Sequence, residues 1–226
     1  MFLRIISATH THELMKDLAF EAMERAKRQN TGGNPEGAVK TLEGYLETDP
    51  ENHKARILLS NFYIYSLDEF EFGIFQLDAV LERDPKNLEA LKAKAVALSG
   101  DKKYNNDTYE IYQQILELDP SAEVFSAYGQ FLRMQMVDFR GSAEYCLKAI
   151  ELEPNSVDYR IHYASVLLND LKEFERARRE LEIIIKLDPE NYTARKNLTK
   201  LLNNHFDKDG NLKKGFSHRP RKIKKK

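Results

Sequence analysis

"DPENHKARILLSNFYIY", residues Asp49 to Tyr65, opens with an acid and a proline, and the same pairing returns at Asp84-Pro85, Asp119-Pro120, Glu153-Pro154 and Asp188-Pro189. These five prolines stand 35, 35, 34 and 35 residues apart. Proline disfavours the α region in the residue before it and has no N–H to donate, so each pair predicts a helix stop. A start signal follows each stop. Asn52, Asn87, Ser121, Ser156 and Asn191 lie one or two residues beyond the prolines, where a short polar side chain can cap a new helix. Between successive prolines run two apolar-periodic stretches, as in "KARILLSNFYIYS" (54–66) and "EFEFGIFQLDAVLERD" (69–84). The predicted unit is an antiparallel helix pair.

The register within the unit is marked by small residues. Counted from each closing proline, one position of the first helix holds Ala26, Ser60, Ala95, Gly129 and Ala164, and one at the start of the second holds Ala38, Gly73, Thr108, Ser142 and Ala177. Helices about 8–10 Å apart approach closely only where a side chain is nearly absent, so two such sites let the pair dock and the next pair stack. Large apolar positions fill the space between: Tyr63, Leu98, Leu132 and Leu167 on first helices, and Leu42, Leu77, Tyr112, Cys146 and Leu181 on second helices.

This period and these positions resemble the tetratricopeptide repeat. The chain departs from that pattern in having no tryptophan; the usual bulky first-helix position reads Ala22, Arg56, Leu91, Phe125 and Arg160. Gln29 stands in the first repeat where an aromatic is expected. "ENYTARKNLTKLLNN" (190–204) repeats the first-helix pattern with no second helix, which reads as a solvating cap. The resemblance implies an all-α solenoid, a right-handed superhelix of about five helix pairs plus a C-terminal capping helix. It covers residues 14–205, with 1–13 expected to be poorly defined or disordered and 206–226 to form a disordered basic tail. Met15 is also a candidate start.

In that family the first helices line a concave groove that takes an extended peptide or a partner helix. Carried onto this sequence, the groove positions are Lys54, Asn61, Tyr65, Lys92, Gln130, Arg133, Asp158, His162 and Ser165. A plain solvated surface is the competing reading of each. The clamp that one subclass uses for a C-terminal carboxylate is not matched, since Lys92 is followed four residues later by Val96 rather than Asn. Lys54, Lys92 and Arg133 could still give a mildly basic groove for an acidic peptide.

The tail carries a second signal. From Lys213 to Lys226 there are eight bases and no acid, namely Lys213, Lys214, Arg219, Arg221, Lys222, Lys224, Lys225 and Lys226. The rest of the chain then has 27 bases against 36 acids, an excess of nine negative charges hidden under a net charge of -1. Such a tail suits a nucleic-acid or ribosome tether, a nuclear import signal in a eukaryotic source, or a solubilising end without a partner.

No constellation points to catalysis, a cofactor or a metal. "GGNPEGAVKT" (32–41) starts like a phosphate loop, but its Lys-Thr is displaced and a helix precedes it, so an inter-helix turn is expected. "HTHEL" (10–14) lacks a third ligand, and "DKDGN" (207–211) has His218 where a calcium loop needs Glu. Cys146, the only cysteine, falls on a core position; one thiol allows no internal disulfide and suits a reducing compartment. No stretch approaches the roughly 18 apolar residues of a membrane span. The expectation is a cytoplasmic, non-enzymatic adaptor holding a protein segment, with a tail-tethered nucleic-acid or ribosome factor as the alternative.

Overall fold

The computed structural model describes the backbone of residues 2–213 and Gly215, with side chains described from Met15 onward. It divides into two compact units, Met1–Leu118 and Asp119–Lys226. The first holds three helix pairs: α1 (Phe2–Thr31) with α2 (Pro35–Thr48), α3 (His53–Ser66) with α4 (Phe70–Arg83), and α5 (Leu88–Leu98) with α6 (Asn105–Leu118). The second holds α7 (Ala122–Met134) with α8 (Phe139–Leu152), α9 (Val157–Ser165) with α10 (Phe174–Leu187), and a final α11 (Tyr192–His205) packed on α10. This is the all-α helix-pair architecture of a solenoid.

The acid-proline beat works as a two-sided hinge. Asn52, Asn87 and Asn191 each accept a backbone N–H three residues on, from Ala55, Ala90 and Ala194, at 3.0 Å. Their amide nitrogens meanwhile donate to Asp49, Asp84 and Asp188, the acids that end the preceding helices, at 3.1, 3.0 and 3.0 Å. One asparagine thus ties the end of one repeat to the start of the next. Ser121 and Ser156 cap α7 and α9 through their hydroxyls.

All ten small positions are buried, as are the nine large apolar ones. Leu42, Leu77 and Leu167 are fully shielded, and each such burial contributes about 1.5–3 kcal/mol. A methyl added at Gly73 would sit 2.3 Å from Ile64 Cγ1 and 3.0 Å from the Ser60 carbonyl, so the close approach of α3 and α4 requires its absence. Cys146 is 2% exposed, and burial pushes its thiol up to about 11, which leaves it an inert core group.

The turns after α3, α7 and α9 are wide. After α3 and α7, Leu67 donates to Phe62 and Met136 to Phe131, a five-residue closure, and after α9 the chain continues as a π-helical segment, Val166–Leu171. Asp68, Val137 and Lys172 then take left-handed conformations at φ of 58°, 56° and 58°. Gly33 (φ 82°) fills the corresponding place between α1 and α2, where Asn34 caps α2 by accepting from Gly37. "GGNPEGAVKT" is that turn, and not a phosphate loop.

Both ends differ from the sequence-based boundaries. The backbone of α1 begins at Phe2, ahead of the start expected near residue 14. At the other end the folded chain runs past 205: Phe206 is 5% exposed, bridges Leu212 in antiparallel fashion, and encloses a turn in which Asp207 accepts from Asp209 and Asn211. Burial of Phe206 offsets the cost of ordering these residues, which an unpatterned polar run did not suggest.

Candidate protein-binding faces

In the first unit the expected groove residues lie on α3 and α5, helices that pack side by side. Lys54 and Tyr65 are exposed, Tyr65 at 60%, whereas Asn61 and Lys92 are half-buried. On α4, Phe72 and Phe75 are also more than half exposed, and Phe72 stacks on Tyr63 with ring centroids 5.7 Å apart. The Tyr63 hydroxyl donates to Glu43 of α2, a contact that binds the first two pairs together.

In the second unit the structure brings Gln130 of α7 and His162 of α9 together with Ser126 beside them, while Arg133 and Ser165 are held in separate contacts. His162 Nδ1 lies 3.1 Å from Ser126 Oγ and 3.3 Å from Gln130 Nε2. Accepting from both makes Nδ1 the unprotonated nitrogen, and burial lowers the ring's affinity for a second proton, Asp158 opposing and Arg133 adding to the effect. Arg133 Nε donates to Asp170 at 2.6 Å, and Asn169 Nδ2 donates to Ser165 Oγ at 3.1 Å. Arg133 is therefore no free cation for an acidic ligand, contrary to what its sequence position suggested: Asp170, 37 residues on, already neutralises it.

Serine beside histidine invites a catalytic reading. Ser126 is only 4% exposed between packed helices, so its Oγ presents no open approach to an electrophile, and the pair serves to fix the ring. Groups of three or more His, Cys, Asp or Glu able to hold a metal do not occur among the described residues. His10 and His12 lie outside the described side chains. Among the described residues no helix is long and apolar enough to cross a membrane.

Sequence reasoning missed two things here. Beside α9, a cleft of about 160 Å³ opens between it, α10 and α11, with Asn197 in its lining. The signal was available, since α11 continues the first-helix pattern and Asn197 is one of its polar positions. Of the tail cations, Lys213 is described, and it closes the last helix: its N–H donates to His205 and its Nζ to the Asn203 carbonyl at 2.7 Å. Lysine there completes the orphan carbonyls of a helix C-terminus. Lys214, Arg219, Arg221, Lys222, Lys224, Lys225 and Lys226 lie outside the described residues.

No protein-family model matches the chain, and no curated protein matches it. Solved structures do. PilF of Pseudomonas aeruginosa superposes with a TM-score of 0.68 at 19% identity, over 84% of this chain and 85% of that one. A tetratricopeptide repeat protein of Parabacteroides merdae gives 0.67 at 16% identity, over 82% and 73%. YrrB, described as a tetratricopeptide repeat protein with an unusual peptide-binding site, gives 0.57 at 18%, over 73% and 84%. With the 35-residue beat, the capped helix pairs and the ten buried small positions, these likenesses establish that the chain has the tetratricopeptide-repeat fold.

Proposed function

We propose that this protein is a non-catalytic scaffold that holds a segment of another protein along its first-helix faces. The observation that carries the reading is the set of pre-formed polar contacts on the α7 and α9 row, where Ser126 and Gln130 hold His162 and, separately, Asp170 holds Arg133. Polar side chains fixed before a ligand arrives lose little entropy on binding, which is what recognition by a preformed surface needs. The likeness to YrrB, whose description names a peptide-binding site, supports the same direction.

Panning a displayed library of random 12-residue peptides against the full chain tests the reading. Enriched peptides should bind with an affinity that falls at least about ten-fold in a Gln130→Ala/His162→Ala variant of unchanged helical circular dichroism. A library that yields no binder, or binders indifferent to every first-helix substitution, would overturn it.

A further inference from the structure

The cleft between α9, α10 and α11 has a composition that specifies its occupant. Its apolar lining includes Leu168, Leu181 and Ile184, and its polar lining Ser165, Asn169 and Asn197. None of the residues lining it carries a charge. A volume of about 160 Å³ is close to that of the engineered apolar cavity, about 150 Å³, that takes up benzene. A leucine-sized group therefore fills it.

The polar lining supplies the rest of the recognition. Asn169 donates to Ser165, which turns its carbonyl oxygen away from that bond, and Asn197 makes no side-chain hydrogen bond among the described residues. Asparagine offers one acceptor and two donors, the pattern that matches the N–H and C=O of an extended backbone. The cleft also has a direction. Ser165 lies three residues after His162 on the same helix, so a chain leaving the Gln130–His162 row passes over α9 and arrives at the opening.

We infer that this cleft is a specificity pocket for one uncharged, branched aliphatic side chain of an extended protein segment, whose flanking peptide groups are read by Asn169 and Asn197. The inference rests on the scaffold reading and narrows it: on this unit the partner segment is neutral and apolar, not acidic. Charge matching decides between those two, because a carboxylate placed here would be desolvated with no cation on the lining to pair with.

The test uses the full chain and the smallest probe that carries both elements, N-acetyl-leucine N-methylamide, titrated into ¹⁵N-labelled protein. Amide shifts should concentrate on Ser165, Asn169, Ala194 and Asn197, and the glutamate, lysine and alanine analogues should bind at least about five-fold more weakly. Thr193 lines the opening and is exposed, so Thr193→Tyr should block the probe without disturbing the fold; Asn197→Ala should weaken it about three-fold or more. Equal binding of the glutamate analogue overturns the inference, and so does binding of plain isobutanol as tight as that of the blocked leucine. If the leucine probe fails while panned 12-residue peptides bind and map elsewhere on the first helices, the pocket is refuted and the scaffold reading stands. If neither binds, both fall.

Discussion

Arg160 Nη1 lies 2.7 Å from Glu180 Oε2, and both side chains are largely shielded, at 13% and 16% exposure. Arg160 also donates from Nε to the Pro154 carbonyl at 2.9 Å. Three repeats earlier the equivalent Arg56 donates to the Pro50 carbonyl at 2.9 Å and to Gln76 at 2.8 Å. These arginines stand where the repeat pattern has a bulky residue, and they join the acid-proline turn to the second helix of their own repeat. Arg160→Ala should cost about 2 kcal/mol, between the values for exposed and fully buried pairs, because it leaves the Glu180 carboxylate shielded and unpaired. Replacing both by leucine should recover most of that loss. Urea denaturation of the two variants checks it, and a single variant as stable as the parent would refute the role.

The helix pairs, their caps and the ten docking positions were legible because each follows from local rules repeated at a fixed period. Asn52 needs only Ala55 and Asp49 to do its work, and both are three residues away. What escaped the reading depends on partners brought together by folding. Arg56 and Arg160 each find theirs 20 residues on, a spacing visible only once the second helix has been placed. Arg133 looked free until Asp170 met it from the turn of the π-helical segment after α9, and the cleft at Asn197 needs three helices before it exists.

Val137 takes φ 56° and is 58% exposed, so it gains little packing for a conformation that a β-branched residue rarely adopts. Val137→Gly should stabilise the protein by about 1 kcal/mol, the relief of strain exceeding the extra freedom of the unfolded glycine. Asp68→Gly, at the corresponding turn, should gain less because aspartate tolerates that region better. Thermal melts of both variants distinguish strain from a general effect of glycine: equal shifts would count against the argument.

Gly73→Ala is expected to destabilise by about 1–3 kcal/mol, since the new methyl meets Ile64 within a closely packed helix pair. Its helix propensity alone would favour alanine by roughly 1 kcal/mol, so the two effects have opposite signs. Adding Ile64→Val should restore part of the loss. A single alanine variant that melts higher than the parent would show that α3 and α4 separate at little cost.

His162 gives the stability a pH dependence of definite sign. Burial holds its proton affinity below the ordinary value, with Asp158 on the same helix opposing this and Arg133 on α7 reinforcing it. The unfolded chain therefore takes up a proton before the folded one does. The contribution is complete above the ordinary histidine value of about 6.5, and it is lost as pH falls through the lower folded value. The neutral Nδ1 that accepts from Ser126 and Gln130 disappears over the same range, so the row on α7 and α9 should loosen as the protein is acidified. Melting followed at pH 7.5 and 5.5 should show a smaller fall for His162→Gln, which keeps a hydrogen-bonding group but cannot titrate. An identical fall in parent and variant would assign the acid sensitivity to the carboxylates instead.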